Sequence, residues 1–503
     1  MDRKSSEMVE LKPGRRPTLE QVQYLKVRRA SQYEGKTAHF ALCVFNLMNA
    51  ILGSGILGLA NAMTNLGYIL FTVLLVLVAL LAFNSIRLLL DMCDLTGITS
   101  YEAIGRQAFG EGGKIVTVLS ILTHTLGAMC SFLFIVKYEL PEVLRTLTGA
   151  EECSSAWYLN GDYIVILVTL VIIMPLSAAK NIGFLGYTSG FAMACMIFFT
   201  VVIVIEKFII PCPIYGMNST VHHEEYHLIQ IPEHIDNYTN TVAMAIASTN
   251  NNPTVEPAGV HNESTECVHK SALTQELEEA LEQQQCEPEP FVISLKSAYA
   301  VPTMVFAFQC HASVLPIYLE LTNPTKTRMQ LVSIVSITNI FLLYFIASLF
   351  GYLTFFTAVG PELLLMYSYY DPDNIVILLA RIMVLICVIF STPLLHFPSR
   401  RSIENLFFSK YEFSWIRHLG IMVVLLSLTD ILVIYVPTIR EVFGFIGATS
   451  ASMLVIILPS LFYIKLGLDP TCSFKKISCI CLVVFGILFT IMSLTLIIFG
   501  WLQ

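Results

Sequence analysis

Charged side chains are scarce in this chain. Asp, Glu, Lys and Arg supply only 13% of its 503 residues, against about a quarter in an average soluble domain. So few charges exclude a soluble globular protein of this length. The net charge of −8 leaves no basic balance for a nucleic acid partner. No G-x-S-x-G and no P-loop with its Lys-Ser/Thr is present, so the chain reads as neither an enzyme nor a cofactor protein. No cleavable leader is expected either. The first 38 residues are polar, with nine Lys/Arg against five Asp/Glu and no apolar core. The first apolar run is therefore expected to act as its own insertion signal.

What the chain has is apolar length. Residues of the hydrophobic types make up 55% of it, and runs of roughly 17–25 residues, long enough to cross a bilayer, recur from residue 40 to the end. Eleven spans are predicted, at about 40–62, 67–91, 114–137, 162–179, 183–207, 297–319, 330–356, 374–397, 415–437, 441–464 and 478–501. The expected fold class is an all-α polytopic membrane protein in a lipid bilayer, residues 39–503, preceded by a basic tail, 1–38.

Basic residues in short loops set the orientation. Lys326, Arg328, Arg400, Arg401, Lys475, Lys476 and the tail fall on one side when the N-terminus is cytoplasmic. Eleven spans then leave the C-terminus outside, along with the long break at 211–290. That segment holds thirteen Asp/Glu and a single lysine, Lys270, so the acidity of the chain resides there. Three glycosylation acceptors lie in it, at Asn218, Asn237 and Asn262. Six of the eleven histidines also lie there, including the stretch HHEEYH at 222–227, which reads as part of a solvated loop rather than a zinc site. Of thirteen cysteines, Cys153, Cys212, Cys267 and Cys286 fall outside. That side permits disulfides, and four cysteines allow three pairings; Cys212 and Cys286 sit at the two ends of the loop.

Two spans look interrupted. The first, FNLMNAILGSGILGLANAM, carries Gly53-Ser54-Gly55 at its middle, although glycine costs about 1 kcal/mol in a helix interior. The sixth, YAVPTMVFAFQCHASVLPIYLEL, holds Pro302 and Pro316 with Gln309-Cys310-His311 between them. Irregular backbone in a membrane survives only where protein or a water-filled cavity satisfies it. Interruptions five spans apart are the expected trace of a five-plus-five inverted repeat, whose broken helix ends bind substrate and ions. Gly53, Ser54, Gly55, Gln309 and His311 are thus substrate-binding candidates, the competing reading of the glycines being close helix packing. Asn49, one turn before the glycines, is a candidate cation ligand, and its neighbour Asn46 a helix-packing hydrogen bonder. Ser391 and Thr392 precede Pro393 in the eighth span and offer two hydroxyls to a hard cation, unless they bond back to the preceding turn. His124 in the third span is either a packed neutral imidazole or a pH-sensitive group on the route.

The segments FNLMNAILGSGILGLANAM, LFIVKYELPEV, WYLNGDYIVILV, GFLGYTSGF, CHASVLPIYLEL, LFGYLTFF and VPTIREVFGFIGATSASMLVIILPSLFYIKL, spread in order over about 37–501, resemble the sodium-coupled neutral amino acid transporters, the system A and N group. The resemblance implies a five-plus-five fold with one extra helix and import of neutral amino acids such as glutamine and alanine with one sodium ion. It implies that Asn49 is the sodium-site asparagine and that Cys212 pairs with Cys286. Two departures stand out. The sodium-site threonine of the eighth span aligns with Ile389, which has no oxygen, and His124-Thr125 replaces Gln-Asn in the third span. Weakened sodium coupling, with a proton as the next candidate, is therefore expected. An amino acid sensor that keeps the binding site is the alternative function. The expected location is the plasma membrane, or else an endolysosomal one.

Overall fold

The computed structural model describes residues 39–150, 156–178, 185–210, 286–294, 296–371, 374–408, 411–436, 438–470 and 472–502. The tail 1–38, residues 211–285 of the acidic loop, Cys153, Cys212, Cys267 and the acceptors Asn218, Asn237 and Asn262 lie outside them.

Among the described residues the architecture is all helical, with no β-strand. Among those residues nine helices are long and apolar enough to cross a membrane, or ten when the bent pair α1 (Phe40–Ile51) and α2 (Gly55–Thr64) counts as one span. The others are α3 (Tyr68–Thr96), α4 (Tyr101–Thr148), α6 (Leu185–Ile209), the pair α7 (Ser297–Ala307) and α8 (His311–Glu320), α9 (Lys326–Phe355), α11 (Ile375–Phe407), α12 (Trp415–Tyr435), α13 (Ile439–Leu466) and α14 (Phe474–Leu502). The predicted fourth span corresponds to α5 (Gly161–Ser177), apolar but only as long as a short span. A further short helix, α10 (Leu363–Tyr370), lies in the connection from α9 to α11.

Local chemistry explains most of the boundaries. Gly97 ends α3 at φ 69°, a left-handed cap that glycine adopts without a Cβ clash. Ser100 starts α4 by accepting from the Ala103 amide at 3.3 Å, and the Asn374 side chain caps α11 through the amides of Val376 and Ile377. The predicted third span, 114–137, is only part of α4. The helix runs from Tyr101, bends at Phe109 and Gly110 (φ 70°), and continues past Pro141.

Burial separates core helices from the rim. In the most apolar stretches of α4, of the α7–α8 pair and of α13, 78% of residues are buried, against 22% in α14. α14 therefore turns most of its surface outward, as a lipid-facing helix would. α11 packs chiefly on α4 and α6. A buried ion pair, Arg381 Nε to Glu139 Oε2 at 3.4 Å, joins α11 to α4. Residues 289–292 are laid across the start of α3, with Tyr68 and Ile69 amides donating to the Glu289 and Pro290 carbonyls at 3.1 and 3.2 Å.

Candidate functional site

Both interrupted spans break at their middles. α1 stops at Ile51, Leu52 is extended (φ −72°, ψ 106°), and α2 resumes at Gly55, bent by 53°. α7 stops at Ala307 and α8 starts at His311, so the second break is Phe308–Cys310. Pro302 and Pro316 lie inside the two half-helices, not in the break. Each break frees carbonyls at the end of one half and N–H groups at the start of the next.

The glycines act differently from one another. A Cβ on Gly55 would come 2.8 Å from Ala307 Cβ and 3.1 Å from Ala307 Cα. Its missing side chain lets α2 approach the end of α7, as small residues do between membrane helices. The open-backbone reading of that position therefore shares the residue with close packing. A Cβ on Gly53 would meet only the Phe132 ring, at 3.2 Å. Gly444 and Gly447 on α13 hold α7 from its other flank: a Cβ on Gly447 would lie 2.0 Å from the Pro302 carbonyl oxygen.

Between the breaks lies one cavity, lined by Asn49, Gly53, Ser54, Gly55, His124, Gln309 and Ser391 among others. Seven residues singled out from four different spans thus meet in one place. Ser391 donates to Asn49 Oδ1 at 3.1 Å, and Asn49 Nδ2 donates to Ser189 Oγ at 3.3 Å. Ser54 hydrogen-bonds Ser131, whose own hydroxyl donates to the Ala128 carbonyl at 2.8 Å. Gln309 Oε1 accepts from the His311 amide at 2.8 Å, capping α8, while Gln309 Nε2 has no partner within the protein. His124 is buried against Phe306, with ring centres 5.5 Å apart, and its Nδ1 is unpartnered.

Two candidates stand apart from the cavity. Thr392 is buried and its hydroxyl donates to the Val388 carbonyl at 2.7 Å, the back-bonding alternative. His311 is fully buried with neither ring nitrogen partnered, but it does not line the cavity. Ile389 is half-buried on α11 and does not line it either. Two residues along a helix is a rotation of about 200°, so with Ser391 turned to Asn49, Ile389 faces elsewhere. Ile389 therefore lies off the wall on which Ser391 meets Asn49.

Sequence reading overlooked three participants. Ser131 carries no local signal, being a single hydroxyl in an apolar stretch, and Ser189 stands beside Thr188 with nothing local to mark which hydroxyl faces inward. Tyr344 sits in α9, which has neither a break nor a proline, yet its hydroxyl lies 2.9 Å from the Ile51 carbonyl oxygen and 3.1 Å from that of Ala307.

Interrupted spans that enclose a cavity into which a few polar groups converge define a membrane carrier for small solutes. Residues 36–246 and 267–499 match the model of the transmembrane amino acid transporter proteins, and the chain belongs to that family. Sodium-coupled neutral amino acid transporter 4 of Homo sapiens is 45% identical over 480 residues, covering 94% of this chain and 86% of that protein. Its Rattus norvegicus counterpart is 42% identical over 483 residues, with the same coverage of 94% and 86%. A solved structure of a sodium-coupled sialic acid symporter, substrate-bound and outward-open, is similar in fold, with a TM-score of 0.51 at 12% identity over 94% of this chain and 93% of that one.

Proposed function

We propose that this protein is a secondary active transporter of small neutral amino acids, of the glutamine and alanine type, in symport with sodium. The observation that carries the reading is the pairing of both helix breaks around one cavity that holds Asn49, Ser391, Gln309 and His124. The start of α2 turns backbone N–H groups and the positive end of its dipole toward the break, which favours a substrate carboxylate. Asn49 Oδ1 and Ser391 Oγ are oxygens of the kind a small hard cation takes. They hydrogen-bond each other here, so ion binding would exchange that bond for ion contacts. The relatives' names, both sodium-coupled neutral amino acid transporters, support the same substrate and ion.

Uptake of labelled glutamine and alanine into proteoliposomes tests this, with and without an inward sodium gradient. Accumulation that follows the gradient is expected. Saturable binding without uptake would move the reading to a sensor, and uptake indifferent to sodium would require another driving ion.

The same proposal takes the architecture as a five-plus-five inverted repeat with an extra helix, the N-terminus cytoplasmic, and the plasma membrane as its location. It includes glycosylation at Asn218, Asn237 or Asn262 and a Cys212–Cys286 bridge. Cys286 is not among the nine free cysteines, which supports the bridge. Non-reducing peptide mapping should find Cys212 joined to Cys286; Cys267 in its place would overturn the pairing. Glycosidase should increase gel mobility of the protein made in a eukaryotic host.

A further inference from the structure

The two breaks belong to spans far apart in the sequence, yet one hydroxyl touches both. Tyr344 Oη lies 2.9 Å from the carbonyl oxygen of Ile51, the last residue of α1, and 3.1 Å from that of Ala307, the last residue of α7. These are carbonyls that the interruptions strip of their helical partners. Away from water an unpaired carbonyl is costly, so each break needs a donor, and Tyr344 is placed to serve the two. Its side chain is fully buried. Its ring stands edge-on to Phe308, inside the second break, with centroids 5.4 Å apart. The close contact of Gly55 with Ala307 brings the two ends near enough for one oxygen to reach both.

We infer that Tyr344 is a positioning residue that clamps the broken ends of α1 and α7 together and so holds the substrate and ion sites in register. A phenol carries a single proton. It can donate fully to one carbonyl at a time, or share the proton between them. The clamp therefore also couples the two spans: a shift of either half-helix changes what remains for the other. Asn49 is two residues before Ile51, and Gln309 two after Ala307. Loosening the clamp should accordingly disturb the residues assigned to the ion and those assigned to the substrate together. That functional consequence rests on the transport reading above, whereas the clamp itself does not.

The experiment uses Tyr344→Phe, which keeps the ring against Phe308 and removes only the hydroxyl. Hydrogen–deuterium exchange of the full-length protein in detergent is followed in two peptides, one spanning residues 49–57 and one spanning 305–312. Exchange should rise in both by about tenfold, the scale of one lost buried hydrogen bond. Ser336→Ala is the control. It deletes a hydroxyl on the same helix that donates to the Val44 carbonyl of α1 at 3.3 Å, and it should leave the 305–312 peptide unchanged. A rise in only one peptide with Tyr344→Phe, in neither, or in both with Ser336→Ala overturns the clamp. Should Tyr344→Phe fail to accumulate, exchange in the parent decides the matter. A single clamp releases both peptides with closely similar opening rates, and unrelated rates exclude it.

In proteoliposomes, Tyr344→Phe should raise the KM for alanine and the half-saturating sodium concentration together, each by about tenfold, with the maximal rate little changed. A merely structural role would lower the amount of folded protein and leave both constants alone. If exchange rises in both peptides while the parent shows no uptake, the clamp stands and the transport reading fails.

Discussion

The two interrupted spans reach similar shapes by different means. The first carries its own weak point, Gly53-Ser54 in the break and Gly55 at the start of α2, and a reader of the sequence can point to it. The second breaks at Phe308-Gln309-Cys310, where no glycine or proline stands. Its two prolines are inside the half-helices, each about a turn or more from the break. What holds α7 in place is largely outside it. Gly55 makes room for Ala307 on one side, and Gly444 and Gly447 of α13 make room for Tyr299 and Pro302 on the other. A helix can thus be interrupted because its own residues are poor helix formers, or because its neighbours and a side-chain cap offer the freed backbone better partners.

The largest test of this contrast is Gly447→Ala. The added Cβ would sit 2.0 Å from the Pro302 carbonyl oxygen, and backbone on both sides has to move. A loss of about 3 kcal/mol or more is expected, at the upper end of overpacking costs, seen as a lowered melting temperature of the purified protein. If Gly447→Ala is neutral, α7 is not held by α13 and the contrast collapses.

Gly55→Ala should cost somewhat less, about 1–3 kcal/mol, because the nearest atom is the Ala307 methyl at 2.8 Å. Removing that methyl in a Gly55→Ala, Ala307→Gly double variant should recover part of the loss, and a double-mutant cycle measures the coupling. Simple additivity would show that the two breaks do not touch through this pair.

Gln309→Leu removes the side-chain acceptor of the His311 amide. Loss of such a cap costs about 1 kcal/mol. The effect should appear as faster exchange at the start of α8, with no change in the first break. The same substitution deletes the unpartnered Nε2 in the cavity, so the KM for an amino acid should rise with it.

The smallest effect is assigned to Ile389→Thr, for which sodium dependence of uptake should stay within about twofold of the parent. Ser391→Ala, in contrast, should raise the half-saturating sodium concentration by about tenfold, one hydrogen-bond-scale increment. Should Ile389→Thr sharpen sodium dependence instead, position 389 faces the ion and the assignment of Ser391 is wrong.

Ser391 and Ile389 also show how far the sequence could be read. Asn49, Ser391, Gln309, His124 and the three residues 53–55 were legible as exceptional because polar or helix-weakening groups stand out against apolar surroundings. Which of two hydroxyls faced inward was not legible, since Ser391 and Thr392 are adjacent and differ only in rotation about α11. Thr392 returned its hydroxyl to its own helix at Val388, while Ser391 reached across to Asn49. Tyr344 was invisible, because a tyrosine in an apolar helix is ordinary until its partners are known.

By itself the sequence determined the helical membrane class and most of the spans, because long apolar stretches with few charges have few other ways to satisfy their backbone. It also determined where the first span would break, since glycine weakens a helix wherever it stands. Tertiary structure alone decided where the second span breaks, that Gly55 serves an approach to Ala307, and that one phenol hydroxyl meets two helix ends. The physical reason is that each of these depends on atoms brought from another span. A freed carbonyl or a missing side chain has no defined consequence until the neighbouring helix that fills the space is in place.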